Sequence, residues 1–225
     1  TVDDGNGNTA TCNVTLTGDD TTDPTITVCP VDRTITLTGA CEVTVPDMTG
    51  EVTASDNCTA AGSLTITQVP AAGTLLASGE GTTHTVVMTV DDGNGNTATC
   101  NVTLTGDDTT DPTITVCPPD RTIVLTGSCE VTVPDMTGEV TASDNCTAAG
   151  SLTITQLPAA GTLLASGEGT THTVVMTVDD GNGNTANCNV TVTGDDTTDP
   201  TITVCPPDRT ITLTGACEVT VPDMT

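Results

Sequence analysis

The sequence Thr1-Val2-Asp3-Asp4-Gly5-Asn6-Gly7-Asn8 returns at residues 89–96 and again at 177–184, a period of 88 residues. A fixed period decides the architecture before any motif is read. Eighty-eight residues are too many for one turn of a solenoid and suit a small self-contained domain. Between residues 1–88 and 89–176 only Val31/Pro119, Thr36/Val124, Ala40/Ser128 and Val69/Leu157 differ. Tandem copies this similar suit a fibre, a stalk or a multivalent adhesin better than an enzyme. The chain begins and ends inside a repeat, so it reads as a window cut from a longer array.

The chain carries 30 acidic residues against 3 basic ones and 2 histidines, a formal net charge of −27. Phosphate backbones and anionic lipid surfaces are recognised by clustered cations, so nucleic acid and direct membrane binding are excluded as functions. No apolar run is long enough to span a bilayer. A chain this acidic repels itself unless cations screen it, which makes divalent cations the natural partners. There is no Phe, Tyr or Trp. Small aliphatic side chains must then build the core of a domain whose size already limits burial, and covalent staples are expected.

The 11 cysteines supply them. They fall in register as Cys29, Cys41, Cys58 and Cys100, then Cys117, Cys129, Cys146 and Cys188. Cys12 belongs to the preceding set, and Cys205 and Cys217 to the next. Four regularly spaced cysteines per small domain indicate disulfides formed in an oxidising compartment, so the expected location is extracellular or on a cell surface. The spacing matches no zinc site, and histidine is scarce.

Period-2 alternation runs through each repeat. Ile26 and Val28, Ile35 and Leu37, Val43 and Val45, Leu64 and Ile66, and Val86, Met88 and Val90 each alternate with polar residues, mostly threonine. These are half-buried antiparallel strands with β-branched threonine on the wet face. Asp92-Gly93-Asn94-Gly95 fits a hairpin turn that needs positive φ. Six or seven short strands per repeat predict an all-β chain of tandem immunoglobulin-like β-sandwich domains with an 88-residue period. The expected bounds are 24–106 and 112–194 for two sandwiches. Residues 1–18 are expected to be the C-terminal hairpin of a preceding repeat, and 200–225 the opening part of a further one. The short Pro-ended linker, residues 106–112, should restrict the angle between domains.

At the level of motifs the chain resembles the hyalin repeat (HYR) family. The resemblance lies in Asp23-Pro24-Thr25-Ile26-Thr27-Val28-Cys29-Pro30, in Ser55-Asp56-Asn57-Cys58, in Gly81-Thr82-Thr83, and in the closing run from Val90 to Cys100. It covers the whole repeat and implies an immunoglobulin-like sandwich in extracellular proteins, often in tandem and often adhesive, with no catalytic residues to carry over. Leu75, Leu76 and Val87 stand where the family usually has aromatics, and Met48-Thr49-Gly50-Glu51 looks like an insertion. Four cysteines allow three pairings. The resemblance implies Cys29–Cys100 and Cys117–Cys188, after which Cys41–Cys58 and Cys129–Cys146 would follow.

The sharpest chemical feature is oxygen-rich. If the Asp91-Asp92-Gly93-Asn94 turn lies where the chain enters the sandwich, it meets Asp56 and the linker residues Asp19, Asp20 and Asp23. The second junction would use Asp107, Asp108, Asp111, Asp144, Asp179, Asp180 and Asn182. Calcium takes 6–8 oxygen ligands in flexible geometry, so calcium is the expected cation at the junctions. The same residues are also ordinary turn formers. Asn13, Asn101 and Asn189 head Asn-x-Thr sequons, and Thr21, Thr109 and Thr197 in the linkers are candidate O-glycosylation sites. His84 and His172 share a strand face with valines, and no nucleophile–base pair is visible, so no enzyme is expected. Arg33, Arg121 and Arg209 each follow an aspartate and are expected to pair with local carboxylates.

The expected function is structural: a tandem-repeat filament or cell-surface stalk whose partner is itself. The alternative is a calcium-dependent adhesin that binds glycans or cells. A third reading is strand exchange, with residues 8–17 as a donor strand.

Overall fold

The computed structural model describes residues 1–213, 215–219, 221 and 223. The last stretch of the expected further repeat therefore lies partly outside the described residues. A two-residue hairpin opens the chain, β1 (Val2–Asp3) with β2 (Thr9–Ala10). The first complete unit follows as β3 (Thr25–Val28), β4 (Arg33–Thr36), β5 (Glu42–Thr44), β6 (Thr53–Ser55), β7 (Thr65–Val69), β8 (Leu75–Ala77), β9 (Thr83–Asp91) and β10 (Thr97–Asp107). One period on, the second unit runs β11 (Thr113–Val116), β12 (Arg121–Val124), β13 (Glu130–Thr132), β14 (Thr141–Ser143), β15 (Thr153–Leu157), β16 (Leu163–Ala165), β17 (Thr171–Asp179) and β18 (Thr185–Asp195). The only helical segments among the described residues are three-residue 3-10 turns such as Thr49–Glu51. None is long and apolar enough to cross a membrane.

Each unit is an all-β sandwich. In the first, β4-β10-β9-β7 form a four-stranded sheet, faced by the pairs β3-β6 and β5-β8. The long β9–β10 hairpin is its spine, and β4 joins β10 in parallel, Leu104 opposite Arg33. Alternate residues of both layers meet in the core: Val43, Val45, Met48, Val86, Met88, Val90, Val102 and Leu104 are all buried. Methionine, which bends to fill irregular gaps, takes up volume that aromatics would otherwise fill.

The alternation fails at one place. Val28 was expected to share the buried face of Ile26, yet it is 51% exposed. A register shift in the β3–β6 ladder between Ile26 and Val28 turns Cys29 inward instead. Such a bulge re-aims side chains without ending the strand. Cys29 can then bond Cys100 on β10, as Cys117 bonds Cys188, tying first strand to last.

The remaining cysteines correct the expected pairing. Cys41 bonds Cys146, not Cys58, with Cα atoms 5.1 Å apart and a sequence separation of 105. Cys129 does not bond Cys146. Among the described residues Cys12, Cys58, Cys129, Cys205 and Cys217 are free. Within one unit Cys41 and Cys58 occupy opposite ends of the sandwich. Cys41 lies beside Ser78, whose N–H donates to its carbonyl, just before β9 begins. Cys58 lies beside Thr59, which bonds Asp92 just after β9 ends. Nine extended residues span roughly 30 Å, whereas a disulfide needs Cα atoms within about 7 Å.

Arg33 and Arg121 pair with carboxylates of their own units, as expected. Arg33 reaches Glu51 at 2.6 Å, in the apparent insertion, and Arg121 reaches Glu139 in the same way. Asp32 instead accepts the Thr103 N–H at 2.7 Å.

Candidate metal centres at the unit junctions

The junction is built by three segments that the repeat brings to one end. The last strand of one unit delivers Asp108 immediately after β10. The Asp-Asn-Cys loop after β14 delivers Asp144, and the β17–β18 hairpin delivers Asp180. One carboxylate oxygen from each lies within 4.8 Å of the other two. Asp20, Asp56 and Asp92 form the same triad at the entry to the first unit.

Local hydrogen bonds aim these carboxylates. Asp144 uses Oδ2 to accept the N–H groups of Cys146 and Thr147, both at 2.8 Å. Asp180 Oδ1 accepts from the N–H groups of Asn182 and Asn184, and Oδ2 from the Asn184 amide at 2.8 Å. The hairpin can fold over its own carboxylate because Gly181 and Gly183 hold positive φ, 84° and 107°. Asn184 also donates to the Asp108 carbonyl at 2.9 Å, fastening the incoming linker to the hairpin. Asp108 N–H donates to Glu80 Oε2 at 2.7 Å, so the same residue grips the unit behind it.

What remains open is telling. Asp108 is 3% exposed. Its Oδ2 and the Asp144 Oδ1 are buried with no hydrogen-bond partner among the described residues. In the first triad the same holds for Asp20 Oδ2 and Asp56 Oδ1. Burial pushes the Asp108 carboxyl above the ordinary carboxylate range, and the charges of Asp144 and Asp180 push it further. Burial also acts on Asp180 and Asp92, but asparagine side-chain and backbone donors outweigh it and hold both carboxyls low. Asp56 is held low by the Thr59 and Cys58 N–H groups. Charged oxygens thus face one another across a small gap with unspent acceptor capacity. That donor set, oxygen only and separated by up to about twice a calcium–oxygen distance, fits a hard divalent cation.

Of the other expected carboxylates, none joins a triad among the described residues, whereas the Asn182 side chain acts on the Asp108 carboxyl and works to lower it. Asp91 and Asp179 spend Oδ1 on the Gly93 and Gly181 N–H groups. Asp111 accepts from Thr185 N–H at 3.2 Å. Asn94 and Asn182 donate to the Thr59 and Thr147 hydroxyls. Asp107 lies at the end of β10, and Asp19 and Asp23 are exposed linker residues outside the triad. Asn13, Asn101, Asn189, Thr21, Thr109 and Thr197 are all exposed. Nothing in the repeat pattern marks the Asp-Asn-Cys loop as contributing both to a carboxylate triad and to an inter-unit disulfide.

The family model for the HYR domain matches residues 107–194. The preceding period, residues 19–106, differs from it at six positions. No curated protein matches the chain. Among solved structures, PcdhgB3 EC1-4 is 15% identical with a TM-score of 0.38, covering 77% of this chain and 50% of that one. Sidekick-1 immunoglobulin domains 1-5 are 14% identical with a TM-score of 0.37, covering 77% of this chain and 39% of that one. Human protocadherin-24 EC1-2 is 13% identical with a TM-score of 0.40, covering 79% and 99%. The chain thus spans half or less of the first two, and likeness at this level carries no argument about function.

Proposed function

We propose that this chain is a stretch of an extracellular stalk or filament, built of disulfide-closed HYR-type sandwiches held at fixed pitch by calcium at each junction. The observation that carries the reading is Asp108: a residue 3% exposed, with an unpartnered carboxylate oxygen, facing Asp144 and Asp180 of the unit ahead. Burying a charge without a partner is costly, and a bound cation offsets that cost. A cation there would join three segments from both sides of the junction and remove their hinge freedom. The partner along the fibre is the chain's own next repeat. Disulfides and the absence of a cationic surface support an extracellular, non-membrane-inserted setting.

Isothermal titration of the chelator-treated chain with calcium tests the reading. Two calcium ions per chain are expected, with magnesium binding more weakly because it demands a smaller octahedral cage. Heat indistinguishable from dilution up to about 10 mM calcium, well above the Kd of extracellular modules, would sink it.

A further inference from the structure

The two ends of the paired units are not equally covered. At the first unit's exit, Leu37 is buried and Cys41 is half-buried, because the Asp-Asn-Cys loop of the second unit sits on them. Asn145 donates to the Thr38 carbonyl at 3.4 Å, and Cys146 bonds Cys41. One period on, no such cover lies on the second unit's exit among the described residues. Leu125 is only half-buried, and Cys129 is exposed. A pocket of about 420 Å³ lies there, lined by Leu125, Thr126, Gly127, Cys129, Asp199 and Pro200 among others. These are the period-equivalents of Leu37, Thr38, Gly39, Cys41, Asp111 and Pro112. Cys129 already holds the left-handed backbone of Cys41, φ 56° against 58°. At the opposite end, Cys58 in the first unit's loop is exposed, whereas its equivalent Cys146 is half-buried.

We propose that this pocket receives the Asp-Asn-Cys loop of the next copy of the unit, and that Cys129 forms a disulfide with that loop's cysteine. Cys58 is bonded in turn by the Cys41-type cysteine of the preceding copy. Every junction is then joined twice, by the linker and by an inter-unit disulfide, and the array is a covalent ladder. The bond forms by thiol–disulfide exchange. Two cysteine thiols give up two protons and two electrons to a small-molecule or protein disulfide, which leaves as two thiols. The ladder goes beyond the calcium reading and does not depend on it.

Acid-labile Asp-Pro bonds make the test direct. They fall at Asp23-Pro24, Asp111-Pro112 and Asp199-Pro200. Cys29–Cys100 lies within fragment 24–111 and Cys117–Cys188 within fragment 112–199, so neither spans a cut. The 225-residue chain and a chain lengthened by one 88-residue unit are thiol-blocked, cleaved in dilute acid and weighed by mass spectrometry without reductant. In the shorter chain, 24–111 and 112–199 stay joined until reduced. In the longer chain, three unit-length fragments stay joined, and Cys129→Ser releases only the third. A third fragment that separates from unsubstituted chain without reductant overturns the proposal, as does one that stays joined in Cys129→Ser. Folding the chain in chelator before cleavage separates the two readings, because the ladder is expected whether or not calcium binds.

Discussion

Asp108→Asn separates a metal ligand from a merely structural residue. The amide keeps the Oδ1 acceptor used by the Thr110 N–H at 3.2 Å, so the local turn is retained. It loses the charge that burial, Asp144 and Asp180 oppose. The sign follows from that direction. The folded-state carboxyl of Asp108 titrates above its unfolded value, so at neutral pH the ionised group opposes folding of the calcium-free chain. In chelator, Asp108→Asn should therefore unfold at the same temperature as the unsubstituted chain or higher. In calcium the order reverses. Extracellular modules bind calcium with Kd of about 10⁻⁴–10⁻³ M. At about 10 mM calcium each site then adds roughly 1.4–2.7 kcal/mol by mass action. For a domain of this size that is roughly 5–20 °C in Tm. The variant should forfeit that gain at the junction while keeping the Asp20, Asp56 and Asp92 site, so calcium stoichiometry falls from two to one. Scanning calorimetry with and without calcium, beside isothermal titration, reads both quantities. Equal destabilisation in calcium and in chelator would refute the ligand role, as would an unchanged stoichiometry.

Cys146→Ser should cost the two-unit chain roughly 2–4 kcal/mol in non-reducing guanidinium unfolding, since the bond closes a loop of about a hundred residues. Cys58→Ser should change it by less than about 0.5 kcal/mol, as expected for an exposed surface substitution; equal losses would restore the pairing within one unit. Gly106→Ala should cost about 1–3 kcal/mol by overpacking, because its Cβ would lie 2.8 Å from the Gly79 carbonyl oxygen and 2.7 Å from Ser78 Oγ. Gly50→Ala, with nothing within 4 Å, serves as the control, and a thermal melt that ranks the two equally would contradict the packing. Arg33→Ala should cost no more than about 1 kcal/mol by the same melt, because the pair with Glu51 is partly solvated.

The sandwich was legible because strand periodicity and turn chemistry agree along the repeat. Val86, Met88 and Val90 on β9, and Val102 and Leu104 on β10, are buried as alternation requires. The aspartates of the two triads were within the expected set, and strand parity distinguishes them from their neighbours: Asp92 continues the buried run of Val86, Met88 and Val90, and Asp108 that of Val102, Leu104 and Gly106. Asp91 and Asp92 differ by one residue; parity turns Asp92 inward, and hydrogen bonds from Asn94 and Asn96 then aim its carboxylate. Val28 escaped because a bulge leaves no trace in a two-residue period. The Cys41–Cys146 bond escaped for a deeper reason. A cysteine pattern repeated every 88 residues is equally consistent with a bond inside each unit and one to the next. Periodicity cannot distinguish a loop that returns from one that advances.

The same ambiguity shows that strands here belong to the array rather than to local sequence. Residues 11–19 and 99–107 are identical, yet the second run lies in strand β10 and the first forms no strand. Residues 201–213 differ from 113–125 at one position, yet only the latter include strands β11 and β12. β10 has β9 and β4 on its two sides, and β11 has β14. The identical runs near the ends have no such partners among the described residues. Threonine-rich strands without aromatics gain little by themselves and depend on pairing and shared burial. The same dependence operates one level up. Leu37 is buried and Leu125 is not, although their surroundings within the unit are nearly the same. The unit's exit face is completed by a neighbour, so stability per unit should rise with the number of consecutive units, as nearest-neighbour interfaces accumulate.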